Sequence, residues 1–155
     1  MKKELIDKLI REITDKGELR DLYKIAKGAN ILVIEEDLGR DGGLYFYEAK
    51  TKTIIINRKL SYYHRLIVLA HEIAHAILHP YEEAYFTCIG FPKASIKENE
   101  ANYFACKLLD FIGFWSDENL CIYEHELNKS DKGFIAMYMK YLSEPTTKIY
   151  TKELI

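Results

Sequence analysis

An α+β fold is predicted by three features of the sequence. Apolar residues at helical spacing open the chain, three β-branched or aromatic runs cluster between residues 31 and 57, and a long helical pattern follows directly from Ser61. The 155 residues suit one domain, because a chain of this length buries most of its unfolded surface around a single core. Apolar residues make up 48% of the chain and charged residues 30%, with 22 Lys+Arg nearly balanced by 24 Asp+Glu, so the composition is globular and not that of a disordered chain.

The first helix is predicted from Leu5, Ile6, Leu9, Ile10 and Ile13, which recur on one face with charges between them, and Gly17 helps to end it. A second, shorter helix is expected over Glu18 to Lys27, with Leu19, Leu22, Tyr23, Ile25 and Ala26 as its apolar set and Gly28 as its stop. The runs ILVIE from Ile31, LYFYE from Leu44 and TIIIN from Thr53 read as strands, separated by GRDGG and EAKTK. They predict a small three-stranded antiparallel meander. Ser61 then offers an N-cap for a long helix that Pro80 bounds. A loop from Tyr81 to about Ser95 contains GFP, and a further helix is expected from Lys97 to Ile112. Ser116 to Leu127 and Lys132 to Leu142 read as two weaker helices, and the tail beyond Pro145 is expected to be mobile. No repeat or linker divides the chain. One domain over 1–155 is expected, with a core at about 18–112 and a helical C-terminal extension at 113–155.

Composition also narrows the function. A formal charge of −2 and a pI near 6.2 give no overall basic field, which argues against direct nucleic-acid binding. Cys88, Cys106 and Cys121 are widely spaced and form no C-x-x-C pair, so a reduced, cytoplasmic compartment is expected. Asp7, Arg11 and Glu12 interrupt what a signal peptide would need to be an apolar stretch. No run approaches the roughly 20 apolar residues of a membrane span. A soluble protein without a membrane partner is therefore expected, of undetermined oligomeric state.

Four of the five histidines fall between His64 and His79. Within that cluster His71-Glu72-Ile73-Ala74-His75 spells H-E-x-x-H. At about 100° per residue the two histidines lie about 40° apart and one turn apart, so both imidazoles can grip one metal ion. Glu72, beside them, is placed to act as general base on water at the metal instead of binding the metal itself. Leu66, Leu69, Ala70, Ile73, Ala74 and Ile77 are expected on the opposite face, dividing the helix into a wet chemical side and a buried side. His79 continues the stripe next to Pro80, where capping or support of a ligand suits it better than ligation. His64, two turns before His71, is expected at the surface or the cleft rim.

Catalytic zinc usually takes three protein ligands and leaves one position open, so another donor is required. In KENEANYFACKLLDFI, Glu98 lies within about 80° of Ala101, Ala105, Leu108, Leu109 and Ile112, whereas Glu100 points some 160° around towards water. Glu98 is thus the leading third ligand. Asn102, one turn on, shares its face and can orient a ligand, while Ala101 and Ala105 permit close approach of the two helices. Glu82, Glu83 and Glu100 remain competitors.

The ordered motifs LAHEIAHAILHP and ENEANYFACKLL, preceded by the strands, resemble the ImmA/IrrE family of zinc metallopeptidases over roughly Tyr23 to Leu109. Two departures stand out: Asp110-Phe111 follows Leu108-Leu109 where the family usually continues Met-Pro, and Ala74 occupies a position that is often glycine. The resemblance implies a zincin-like fold in which a small sheet packs on the H-E-x-x-H helix. It further implies Zn2+ on His71, His75 and Glu98, with Glu72 as base, and cleavage of a helix-turn-helix repressor encoded by a phage or mobile element. A non-proteolytic, zinc-containing regulator or toxin-antitoxin component acting by protein binding is the alternative. The donor that steadies the oxyanion stays open among twelve tyrosines and His64, His79 and His125.

Overall fold

The computed structural model describes residues 3–15, 18–82, 85–88 and 96–114. Helix α1, Lys3–Ile13, buries Ile6 and Ile10. Its end is closed by the Thr14 hydroxyl, which donates to the Ile10 carbonyl at 2.7 Å, before Asp15 turns to a left-handed φ of 52°. Helix α2 spans Leu22–Gly28. It begins four residues later than the apolar spacing suggests, because the Asp21 carboxylate accepts from the amides of Tyr23 (2.9 Å) and Lys24 (3.3 Å) and so fixes the N-terminus. Gly28 does not stop it. The left-handed residue past the end is Asn30, at φ 58°.

Strands β1 (Ile31–Glu36), β2 (Asp41–Glu48) and β3 (Thr51–Asn57) run in alternating directions, but they are not a meander. The sheet is mixed and four-stranded, in the order β1-β3-β2-β4, with β1 parallel to β3. The meander expectation is therefore corrected, and Asn57 supplies the physical reason. The connection 37–40 does not turn tightly into a hairpin; it arches over the end of β3, where the buried Asn57 amide donates to the carbonyls of Gly39 (3.1 Å) and Asp41 (2.8 Å). The Arg58 amide donates to Glu36 O at 2.9 Å, and Lys59 pairs with Asp37 at 2.8 Å. Strand β2 thus lands one position away from β1. A two-residue turn, Ala49-Lys50, then returns the chain between them, both residues taking the positive φ (50° and 60°) of a type I′ hairpin. The most β-branched run occupies the middle of the three, where Ile54 and Ile56 are fully buried.

Strand β4, Tyr85–Cys88, adds antiparallel to the outer edge of β2 with a bulge between Asp41 and Gly43, in a stretch expected to be loop. Helix α3, Tyr62–Leu78, packs on β2 and β3, and α4, Ile96–Phe111, packs on α3. Gly43 permits the sheet contact: a Cβ there would lie 2.7 Å from Val68 Cγ1. The core joins Ile6 and Ile10 of α1, Ile25 of α2, Ile54 and Ile56 of β3, Leu69 and Ile73 of α3, and Phe104 and Leu108 of α4. No helix among the described residues is long and apolar enough to cross a membrane. The expected helices at Ser116–Leu127 and Lys132–Leu142, the tail, and His125 and Glu83 lie outside the described residues.

Asn57→Ala would strip two carbonyls and the Lys59 amide of their partner at a buried site. It is expected to destabilise the protein by about 1–3 kcal/mol, read as a lower urea midpoint at unchanged slope.

Candidate metal centre

Helix α3 starts where the Ser61 hydroxyl accepts the His64 amide at 3.2 Å, and it runs unbroken to Leu78. Regular geometry then stacks His71, His75 and His79 at one-turn intervals. The His71 and His75 rings meet at 81°, centroids 4.7 Å apart, with their Nε2 atoms 3.1 Å from each other. Glu98, in the first turn of α4, reaches both: Oε2 is 3.2 Å from His71 Nε2, and Oε1 is 3.0 Å from His75 Nε2. Burial pushes the Glu98 carboxyl up, but hydrogen bonds to the two imidazoles outweigh it and hold the group well below the usual carboxylate range. Glu98 is an anion.

A divalent cation fits this donor set. A carboxylate brings no proton, so the contacts depend on where each neutral imidazole carries its one hydrogen. Hydrogen on both Nε2 atoms lets each donate to its own Glu98 oxygen but sets two N–H groups side by side at 3.1 Å; hydrogen on one leaves the other's lone pair facing Glu98; hydrogen on neither sets acceptors against one another. A cation among the three atoms removes the conflict, and two nitrogens with one oxygen are donors suited to zinc. Among the described residues these three form the one His/Cys/Asp/Glu group so arranged, with all ligand atoms within 4.8 Å.

Glu72 is 1% exposed. Full burial is rare for a glutamate, and here it puts an ionisable carboxyl inside the protein next in sequence to His71. The wet face expected of α3 is corrected: positions 67–74 and 76 are all buried, because α4 covers the histidine side while the sheet covers the other. His64 is corrected likewise, since it is 2% exposed and not at a rim. Asn102 is also buried, within α4.

His79 is the C-cap of α3, its amide donating to His75 O at 2.8 Å. Its Nε2 lies 3.1 Å from Glu100 Oε2, and its Nδ1 lies 3.4 Å from His75 Nδ1. Burial lowers its pKa, a shift that Glu100 opposes. Glu100 is therefore not the water-facing residue the helical wheel suggests. The wheel assumes one packed face, whereas α4 is buried around its whole circumference from Ala101 to Cys106. The signal for the His79–Glu100 pair was nonetheless in the sequence, as a third histidine at i+8 and a second glutamate at i+2. Glu82 is exposed and pairs with Lys97, tying the end of α3 to the start of α4 outside the donor cluster.

Residues 26–109 match the family model described as the IrrE N-terminal-like domain, a peptidase family. That span includes His71, Glu72, His75 and Glu98. The chain is also 34% identical over 110 residues to "Uncharacterized immunity region protein 2" of Bacillus phage phi105, the match covering 68% of each chain. No solved structure matches.

Zinc added to chelator-stripped protein is expected to raise the melting temperature, a cation at 100 times its Kd contributing about 2.7 kcal/mol. The zinc-dependent increment should disappear in Glu98→Ala. A wild-type melting curve indifferent to zinc and to chelator would reject the site.

Proposed function

The chain belongs to the IrrE N-terminal-like peptidase family, and on that premise we propose that it is a zinc-dependent endopeptidase, acting in the cytoplasm on a helix-turn-helix repressor of a phage or mobile element. The observation that carries the reading is the convergence of His71, His75 and Glu98 to within 3.0–3.2 Å beside a buried Glu72. Three protein donors leave a position open for catalysis, where a structural zinc site would supply four.

Zinc held by those residues would supply Lewis acidity, lowering the pKa of a water towards about 7 and polarising the scissile carbonyl. The protein's own groups do the rest. Glu72 accepts a proton from the attacking water and delivers it to the departing amine, so one carboxyl serves first as base and then as acid. Its burial keeps competing solvent away from that transfer. Glu98, its carboxyl held well below the usual range by the two imidazoles, would bring a negative charge to the cation.

Support for the substrate is contextual: the phage relative is named for an immunity region, and the repressor follows from the family resemblance. Its identity is tested by incubating the zinc-loaded protein with a candidate helix-turn-helix repressor taken from a neighbouring gene and sizing the fragments by mass spectrometry. Intact repressor after incubation would instead favour a role through protein binding.

Glu72→Gln is expected to bind zinc as the wild type does and to cleave about 10²–10⁴-fold more slowly, the usual contribution of a general base. Undiminished cleavage by that variant would remove Glu72 from its role.

A further inference from the structure

We propose that Tyr81 and Tyr47 form an aromatic shelf at the mouth of the metal centre, which takes an aromatic or large aliphatic side chain of the polypeptide substrate. The inference rests on the peptidase reading above and adds to it a contact that sets specificity.

Tyr81 is 77% exposed and Tyr47 38%. Their rings stack edge to face at 79°, centroids 5.0 Å apart. Single exposed apolar residues are ordinary on a protein surface, but here two meet and the backbone beneath them is fixed. The buried Tyr45 hydroxyl, two residues before Tyr47 on β2, donates to Pro80 O at 2.6 Å, and the Glu82 amide donates to His79 O at 3.2 Å. Tyr81 is thus pinned on both sides. Folding gains little from a ring left so far in water, so holding it in place serves contact with another molecule. A tyrosine already held loses little freedom on binding and offers a large apolar area, and an aromatic partner gains further from ring-on-ring contact.

Two contacts tie the shelf to the donor cluster. His79, two residues before Tyr81, sets its Nδ1 3.4 Å from Nδ1 of His75. Glu82, the residue after Tyr81, lies 2.5 Å from the ammonium of Lys97, the neighbour of Glu98. His75 and Glu98 are also the more exposed ligands, at 14% and 19% against 2% for His71. The centre therefore opens on the side where the shelf stands. From His75 to Tyr81 the chain runs one helical turn of about 5.4 Å and two further residues of at most about 7 Å. A substrate extended from the metal rises about 3.3 Å per residue, so the shelf meets a side chain about two to four residues from the scissile bond.

The test reads specificity on a peptide library prepared by digesting a bacterial proteome. Zinc-loaded wild type, Tyr81→Ala and Tyr81→Phe are incubated with the library and the cut bonds are located by mass spectrometry. The same library is passed over immobilised zinc-loaded Glu72→Gln protein, with and without Tyr81→Ala, and the retained peptides are identified. The expected result is an enrichment of about 3–10-fold for aromatic or large aliphatic residues at one position two to four residues from the cut bond, lost in Tyr81→Ala and kept in Tyr81→Phe. Cleavage with an unchanged profile in Tyr81→Ala would overturn the shelf and leave the peptidase reading standing, as would a Tyr81-dependent preference for charged residues. An uncut library from which the Glu72→Gln protein still captures apolar peptides through Tyr81 would keep the shelf and reject the peptidase reading. Neither cleavage nor Tyr81-dependent capture would reject both.

Discussion

Two imidazole nitrogens and a carboxylate held 3.0–3.2 Å apart cannot all be paired by hydrogen bonds, and the fold must supply part of the force that keeps them together when no cation does so. That force is the packing of α4 on α3. Ala101 and Ala105 of α4 are fully buried, and neither carries atoms beyond Cβ to hold the helices apart. Small residues give close approach, and close approach lets a three-carbon glutamate side chain span the gap to both imidazoles. The helix ends assist. Glu98 lies in the first turn of α4, where the dipole favours an anion, whereas His75 lies in the last turn of α3, where it favours a cation. Opposite poles meet at the cluster.

Helix α3 has to be immobile for this to work, and it is held at its face and at both ends. Gly43 lets β2 come so near that Val68 occupies the space of a missing Cβ. Ser61 caps the start. At the other end the buried Tyr45 hydroxyl, on β2, donates to Pro80 O at 2.6 Å, while Tyr47 and Tyr81 stack edge to face at 5.0 Å. The sheet thus grips the chain just past His79. Burial of the Tyr45 hydroxyl raises its pKa to about 12, so that donor persists across the neutral range.

Much of this was legible from residues alone where the governing interaction is local. Ser61 and Pro80 bracket a helix by rules acting within one turn, and H-E-x-x-H places two imidazoles by helical geometry without reference to the rest of the chain. Glu98 could be nominated because its wheel position coincides with alanines. Long-range pairing was not legible. The strand directions of a meander and of the observed sheet are identical, and the strand in the middle is marked by contacts distant in sequence, such as those of the Asn57 side chain to residues 16 and 18 positions away. Strand β4 was missed because its pairing partner is about 40 residues earlier, at Asp41–Tyr45. His64 and Glu100 were misplaced for a shared reason. A wheel identifies which faces are apolar, but it does not know that a helix enclosed on all sides must bury polar residues too.

That enclosure has an energetic consequence. Burying a carboxyl such as Glu72, and imidazoles such as His64 and His71, costs free energy even where hydrogen bonds offset part of it, and apolar residues of similar volume would stabilise the same helix better. The helix therefore carries groups that its own stability does not call for, at the position where chemistry needs them desolvated. Exposure within the cluster is graded: His71 is 2% exposed, His75 14% and Glu98 19%. The cluster opens to solvent on the side of His75 and Glu98, where His79 and Glu100 also lie, so desolvation is deepest at His71 and beside Glu72 and relaxes towards the ends of the two helices.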